Sequence, residues 1–160
     1  MKAKAKHQFT TSLLLALVLV LFGSQTIYAQ TETDLKQWTE AYIKAISSPD
    51  WAEKMIAFGW TTDFIPEHKI FRDAYADYKP NIKFIFVEGN EVMVWLVITA
   101  KHVAQFPHDE LKDSEPKGQL IIWNEVWYFD VIDGKLGDKW EMLVNGIDKM
   151  KSAGVKCLPD

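Results

Sequence analysis

A long apolar hairpin constrains the fold of this 160-residue chain more than any other feature. It covers residues 118–140, GQLIIWNEVWYFDVIDGKLGDKW, in which an aromatic strand is followed by the turn pair Asp133–Gly134 and a second strand. An Asp-Gly pair between apolar runs is a strong signal for a β-hairpin. Both faces of the longer strand are largely apolar, which is unusual for a sheet with one face in water. We therefore expect one face to line an interior and the other to pack on a partner subunit.

Apolar residues before Pro80 recur at helical spacing, and this predicts that the first half of the chain is helical. Asp34 and Gln37 are spaced as in a capping box, which indicates a helix start. The predicted helices are residues 34–47, a short helix between Pro49 and Gly59, and a helix from Pro66 to just before Pro80.

Beyond Pro80 the apolar period changes to two, which predicts strands. The first two strands flank the turn pair Gly89–Asn90, the second ends at His102, and residues 103–117 form a loop before the hairpin. Helices first and antiparallel strands afterwards predict an α+β domain, with three N-terminal helices packed on one face of a strongly curved, mainly antiparallel sheet.

Residues 1–29 have the composition of a secretory signal peptide. Three lysines precede an apolar run from Leu13 to Phe22, and the small residue Ala29 offers a cleavage site. The run is too short to span a bilayer, and the cysteine expected of a lipid anchor is missing near its end. We expect an exported protein, periplasmic or secreted, with no stable membrane anchor.

The remaining residues, 30–160, suit one domain with one core. Removal of the leader lowers the net charge from −4 to −7, and this argues against nucleic acid as a partner. Cys157 is the one cysteine, so no internal disulfide can form.

Four segments together resemble the SnoaL-like (polyketide cyclase-like) branch of the NTF2-like superfamily. They are YADYKP, EGNEVMVWLVITAKH, the Gly118 strand start and WYFDVIDGKLGDKW, and the resemblance covers roughly residues 33–148. It implies a sheet wrapped into a cone, a pocket roofed by the helices, and frequently a homodimer packed through the sheet. Activities in the family range from polyketide cyclisation and steroid isomerisation to dehydration and hydrolysis, so the fold does not choose the function.

The chain departs from the cyclase-like members at two positions. Where these relatives often have an Asp and a His, this sequence has Trp127 and Lys139. The departures argue against an acid–base cyclase of the usual kind. His102, in contrast, matches a position where relatives often have a His.

Glu125 is the sharpest catalytic candidate because it alternates with Trp123 and Trp127 along one strand face. If that face points inward, desolvation would raise the pKa of Glu125 towards the range useful for a general acid or base. His102, on the neighbouring strand, could assist it. The alternatives are a solvated or interface Glu and a strand-end His in water.

Seven further positions complete the predicted site as ligand contacts, with core packing as the alternative for the aromatic ones and helix capping for Asp63. They are Trp123, Trp127, Phe129, Trp95, Trp60, Asp63 and Tyr42. The donors His102, His108, Asp109 and Glu110 lie largely in a loop without metal-site spacing, which favours a solvated loop over a metal site. We expect neither metal nor cofactor.

These observations support two hypotheses. The first is an exported domain that binds a small apolar or aromatic molecule in its cone cavity, with cofactor-free acid–base chemistry of isomerase, cyclase or hydratase type if it is an enzyme. The alternative is a non-catalytic binding or dimerisation module whose interior is filled by its own side chains.

Overall fold

The computed structural model describes residues 31–108 and 110–155, so the predicted signal peptide and Cys157 lie outside the described part. Within these two ranges, four helices and four strands follow one another. They are α1 (Glu32–Ile46), α2 (Trp51–Ala57), α3 (Phe64–Ala74), β1 (Tyr75–Glu88), β2 (Glu91–His102), β3 (Gln119–Ile132), β4 (Lys135–Val144) and α4 (Gly146–Ser152). In the described ranges, no helix has the length and apolar character needed to cross a membrane.

Helix α1 begins with a capping box, but the box lies three residues earlier than the sequence pattern predicted. The Thr31 side chain accepts from the Asp34 backbone N–H, and the Asp34 carboxylate accepts from the Thr31 N–H. The predicted partner of Asp34, Gln37, takes no part because Asp34 is itself the third helical residue. The helix then buries the stripe Leu35, Tyr42 and Ile46 against the sheet.

The predicted third helix is wrong at its C-terminal end. Helix α3 stops at Ala74, and the residues from Tyr75 to Pro80 already form strand β1. Pro80 is tolerated because β1 is an edge strand, where a missing N–H can face away from the ladder. A register shift around Asp77, whose φ is 54°, lets both Tyr75 and Tyr78 be buried.

The four strands form one open antiparallel sheet in the order β1-β2-β3-β4. The hairpin prediction is confirmed, since Asp133 and Gly134 both have positive φ, at 51° and 75°, and Ile132 pairs with Lys135 across the turn. Helix α1 is fixed to this turn by a hydrogen bond from Trp38 Nε1 to the Gly134 carbonyl oxygen, at 2.7 Å.

Helix α4 was not predicted, and it corrects the expected helix count. Strand β4 covers β3 only from Glu125 onward, and α4 packs beside the remaining part of the β3 edge. The Ile122 backbone N–H donates to Ser152 Oγ at 3.0 Å, and Asn124 Nδ2 donates to Asp148 Oδ2 at 3.1 Å. The helix therefore protects an otherwise open strand edge.

The sheet has a buried inner face beneath the helices and a largely uncovered outer face. Alternation along β2 and β3 separates the two sets of side chains. The inner face of these two strands carries Val92, Val94, Leu96, Ile98, Ile121, Trp123, Glu125, Trp127, Phe129 and Val131. Large exposed apolar side chains on the other face include Phe84, Phe86, Met93, Trp95, Ile122 and Leu143.

Candidate functional site

Glu125 lies inside the domain, so the alternative of a solvated or outward-facing Glu is wrong. Its side chain is on the inner face of β3, and the residue is 4% exposed. Trp123 Nε1 donates to Oε1 at 2.6 Å, and Trp127 Nε1 donates to Oε2 at 2.7 Å. The spacing of two residues on each side of Glu125 puts all three side chains on one face of the strand. Each carboxylate oxygen therefore has its own indole donor.

Burial raises the pKa of the Glu125 carboxyl above its usual value, while the two indole hydrogen bonds act in the opposite direction. Tyr78, fully enclosed on β1, is close enough to respond to this carboxylate: burial first, and then the Glu125 charge, raise the pKa of its hydroxyl well above the usual range. Desolvation thus increases the proton affinity of Glu125, and the neighbouring Tyr78 is a neutral phenol.

His102 is also inside the domain, so the alternative of a strand-end His in water is wrong. Its residue exposure is 0%, its ring stacks on Tyr75 at a centroid distance of 5.6 Å, and its Nδ1 lies 3.4 Å from Gln119 Nε2.

The structure does not bring His102 and Glu125 together. His102 pairs with Gln119, whereas Glu125 pairs with Leu96. Glu125 lies six positions after Gln119 along β3, which corresponds to about 20 Å of strand. Both side chains point inward, but His102 is not placed to assist Glu125 directly. Tyr75 and Trp123, whose ring centroids are 5.7 Å apart, lie between them.

A buried lysine, Lys149, also lies in this part of the interior, and the sequence analysis did not predict it. Lys149, on α4, is 2% exposed, and its Nζ lies 4.5 Å from the Tyr75 ring centroid and 4.9 Å from that of Trp123. Its Nζ also lies 3.8 Å from Glu110 Oε2. The Asn145–Asp148 cap could have indicated the helix, since the Asn145 side chain accepts from the Asp148 N–H.

The aromatic residues predicted as ligand contacts mostly fill the interior themselves. Tyr42 packs against Phe129 and Trp127, with centroid distances of 5.7 and 6.3 Å. Trp123, Tyr42 and Phe129 are all fully buried. Half-buried Trp60 covers this cluster, and its Nε1 donates to the Tyr42 hydroxyl at 2.9 Å. Burial raises the pKa of Tyr42 far above its usual value.

Two predicted ligand contacts lie away from Glu125. Trp95 is on the outer face of β2, 47% exposed, and donates from Nε1 to Asn124 Oδ1 at 3.0 Å. The alternation of β2 explains this position, because Val94 and Leu96 occupy the inner face. Asp63 is exposed and precedes α3 without making a side-chain capping bond.

A groove of about 400 Å³ lies outside the aromatic interior, between α1 and residues 79–82 of β1. Apolar and charged side chains share its lining, among them Ile43, Lys44, Lys79 and Ile82. The expected open cavity around Glu125 is instead occupied by the aromatic side chains described above.

His68 lies in an aromatic cluster at the edge of the helical layer. Its ring is 4.8 Å from Trp51, 5.0 Å from Trp60 and 5.5 Å from Phe71, measured between centroids. Nε2 is buried and has no hydrogen-bond partner in the described part of the chain. Burial, with a smaller contribution from the Arg72 charge, lowers the pKa of His68 from 6.5 to about 4.

Comparison with known proteins identifies the fold. No protein-family model and no curated protein matches the sequence. Among solved structures, AclR from Streptomyces galilaeus, a candidate hydroxylase, is similar over 81% of this chain and 89% of its own, with 19% identity and a TM-score of 0.66.

Two further structures are described as polyketide cyclases. A candidate cyclase from Acidithiobacillus ferrooxidans has 13% identity and a TM-score of 0.61 over 81% of this chain and 98% of its own. A SnoaL-like cyclase from Agrobacterium tumefaciens has 9% identity and a TM-score of 0.61 over 73% of this chain and 95% of its own. The prediction of the SnoaL-like form of the NTF2-like fold is confirmed.

The partly buried His68 ring should make stability depend on pH. Because folding favours neutral His68, the unfolded chain binds the proton first as the pH falls. This contribution is complete above pH 6.5 and decreases towards pH 4, by roughly 3 kcal/mol in total. A His68→Phe variant keeps an aromatic ring in the cluster and should lose this dependence, as measured by urea unfolding at about pH 7.5 and about pH 4.5.

The pH dependence of the unfolding free energy has to be compared between the variant and the wild type. The pKa of Glu125 is raised in the folded protein, so protonation of Glu125 stabilises the fold whereas protonation of His68 destabilises it. Replacing the exposed His108 with Phe is the matched control and should leave the pH dependence unchanged. Equal pH dependence of wild type and His68→Phe would contradict the assigned role of the buried ring.

Proposed function

We propose that the protein binds a small apolar or aromatic molecule beside Glu125, and that Glu125 acts on it as a general acid or base. The observation that supports this proposal is the buried carboxylate with one indole N–H on each oxygen. A buried acid is costly for stability and is uncommon without a functional reason. Desolvation also shifts its proton affinity in the direction that catalysis near neutral pH requires.

The proposed chemistry needs no cofactor. An ionised Glu125 would remove a proton from a carbon next to a carbonyl and return it at another position, which is the outcome of an isomerisation or a cyclisation. The indole donors would hold the carboxylate in one orientation during both transfers. His102 has no part in this scheme because the register places it about 20 Å further along the strand.

Access to Glu125 requires movement of the aromatic cover. We place that movement at Trp60, in the segment between α2 and α3, because the side chain is half-buried and one hydrogen bond, to Tyr42, holds its indole N–H. The neighbouring Phe64 side chain is largely exposed. A Trp60 side chain that rotates outward would therefore lie against the apolar surface of Phe64. We also propose, from residues 1–29, that the protein functions after export.

A ligand screen tests this function. Small aromatic and lipid-like molecules that enter the interior should change Trp fluorescence and raise the melting temperature of the protein. For ligands of the panel that carry a hydroxyl or N–H donor, Glu125→Gln should weaken binding by about tenfold or more, because a charge-assisted hydrogen bond contributes about 1.5–3 kcal/mol.

Glu141→Gln is the matched control, since Glu141 is exposed on β4 and its loss should leave binding unchanged. A ligand whose affinity is the same for wild type and Glu125→Gln would place its binding elsewhere. No response to any molecule of the panel would favour the non-catalytic alternative.

The outer sheet face supports a second candidate function, association into a homodimer. The register puts Phe84 beside Trp95, Phe86 beside Met93, and Leu143 beside Val126. All of these except Val126 are at least 40% exposed. A contiguous apolar surface of this kind is rare on a monomeric protein and is typical of an interface. The two candidates are compatible, because they use opposite faces of one sheet.

Trp95→Lys tests the association. Wild-type protein should sediment as a dimer at micromolar concentration, and the added charge should weaken that dimer by about tenfold or more. Phe64→Lys, which changes an exposed aromatic residue on α3, should have no effect. A wild-type protein that remains monomeric in sedimentation equilibrium would exclude this surface as a homodimer interface.

A further inference from the structure

Helix α4 inserts a positive charge into the aromatic interior. Its Lys149 is 2% exposed, although its neighbour Lys151 on the same helix is exposed. A lysine that is almost fully buried needs compensation for its lost hydration. The Tyr75 and Trp123 rings supply it, with their centroids 4.5 and 4.9 Å from Nζ.

Trp123 connects this cation to Glu125. The face of its indole ring receives the Lys149 ammonium group, and the Nε1–H on the edge of the same ring donates to Glu125 Oε1 at 2.6 Å. A cation over the ring draws electron density away from the N–H group, and this makes the N–H a stronger donor to a negative acceptor. The Trp123 side chain thus couples the Lys149 charge to the Glu125 carboxylate.

We propose that Lys149 is a positioning residue that sets the protonation state of Glu125, through space and through the Trp123 indole, with Glu110 as its opposing charge. The consequence for chemistry rests on the proposed function of Glu125. The electrostatic coupling itself needs no ligand.

The charged and titratable groups around Glu125 come from several elements. Lys149 lies on α4, Glu110 in the segment before β3, Tyr78 on β1 and Tyr42 on α1. Both tyrosines are neutral, because burial raises the pKa of each hydroxyl far above its usual value. Lys149 and Glu110 are therefore the two groups whose charges differ in sign at this site.

Opposite charges give opposite expectations. Burial is the largest influence on the pKa of Glu125 and raises it, the Lys149 charge lowers it, and the Glu110 charge raises it. Loss of the Lys149 charge should therefore move the titration of Glu125 to higher pH, and loss of the Glu110 charge should move it to lower pH. A general loosening of the interior would not produce shifts of opposite sign.

The experiment is a pH titration of the ¹⁵N-labelled mature protein followed through its indole N–H signals. Signals of Trp123 and Trp127 are assigned from single Trp→Phe variants, and their shared midpoint reports the ionisation of Glu125. Lys149→Met should raise this midpoint, Glu110→Gln should lower it, and Lys151→Met should leave it unchanged. Lys149→Arg, which keeps the charge, should stay near the wild-type value.

Unchanged midpoints, or shifts of the same sign in Lys149→Met and Glu110→Gln, would overturn the proposal. If Lys149→Met does not fold, the downward shift in Glu110→Gln against the Lys151→Met control still decides it. The outcome is separate from that of the proposed function: opposite shifts with no ligand response would retain the coupling and reject the chemistry.

Discussion

The pair of indole hydrogen bonds to the buried Glu125 carboxylate is the interaction on which the organisation of the interior depends. An acid on the inner face of a sheet needs donors for both oxygens, because an unpaired buried oxygen costs about 1–3 kcal/mol. Strand β3 supplies both donors from its own sequence, two residues before and two residues after Glu125. The α1 residue Tyr42 packs on Trp127, and the α4 residue Lys149 packs on Trp123, so two helices are positioned by the same pair of rings.

The same arrangement links stability to function. A tightly packed aromatic interior stabilises the domain, yet it leaves Glu125 closed off in the described conformation. In the proposed function, a ligand therefore reaches Glu125 through local opening of the helical layer. Trp60 and His68 lie there, and the burial that lowers the pKa of His68 makes that region less stable at low pH. The uncovered sheet face offers a contact surface that does not compete with this opening.

The sequence was informative wherever local chemistry decides the structure. An Asp-Gly pair predicted the hairpin, alternation predicted that Glu125 would share a face with Trp123 and Trp127, and the sequence resemblance predicted the fold. Register was not accessible in the same way. Alternation says which face a residue occupies but not how far along the neighbouring strand its partner lies, so His102 was wrongly placed near Glu125.

Other errors came from tertiary packing that overrides local preference. Tyr75 and Tyr78 continue a helical pattern by spacing, but they are buried as part of an edge strand that follows α3. Helix α4 has seven residues, too few for a clear helical period, and with it the buried Lys149 was missed. Trp95 was assigned to the interior by its residue type, whereas its position on β2 places it outside.

The most direct measurement of the central claim is the free energy of unfolding of a Glu125→Ala variant at neutral pH, with Glu141→Ala as the surface control. If Glu125 satisfies two buried indole donors, its removal should cost about 2–6 kcal/mol, since each orphaned donor costs about 1–3 kcal/mol. A loss below about 1 kcal/mol, similar to that of a surface substitution, would contradict the account and show that the two indoles do not depend on this carboxylate.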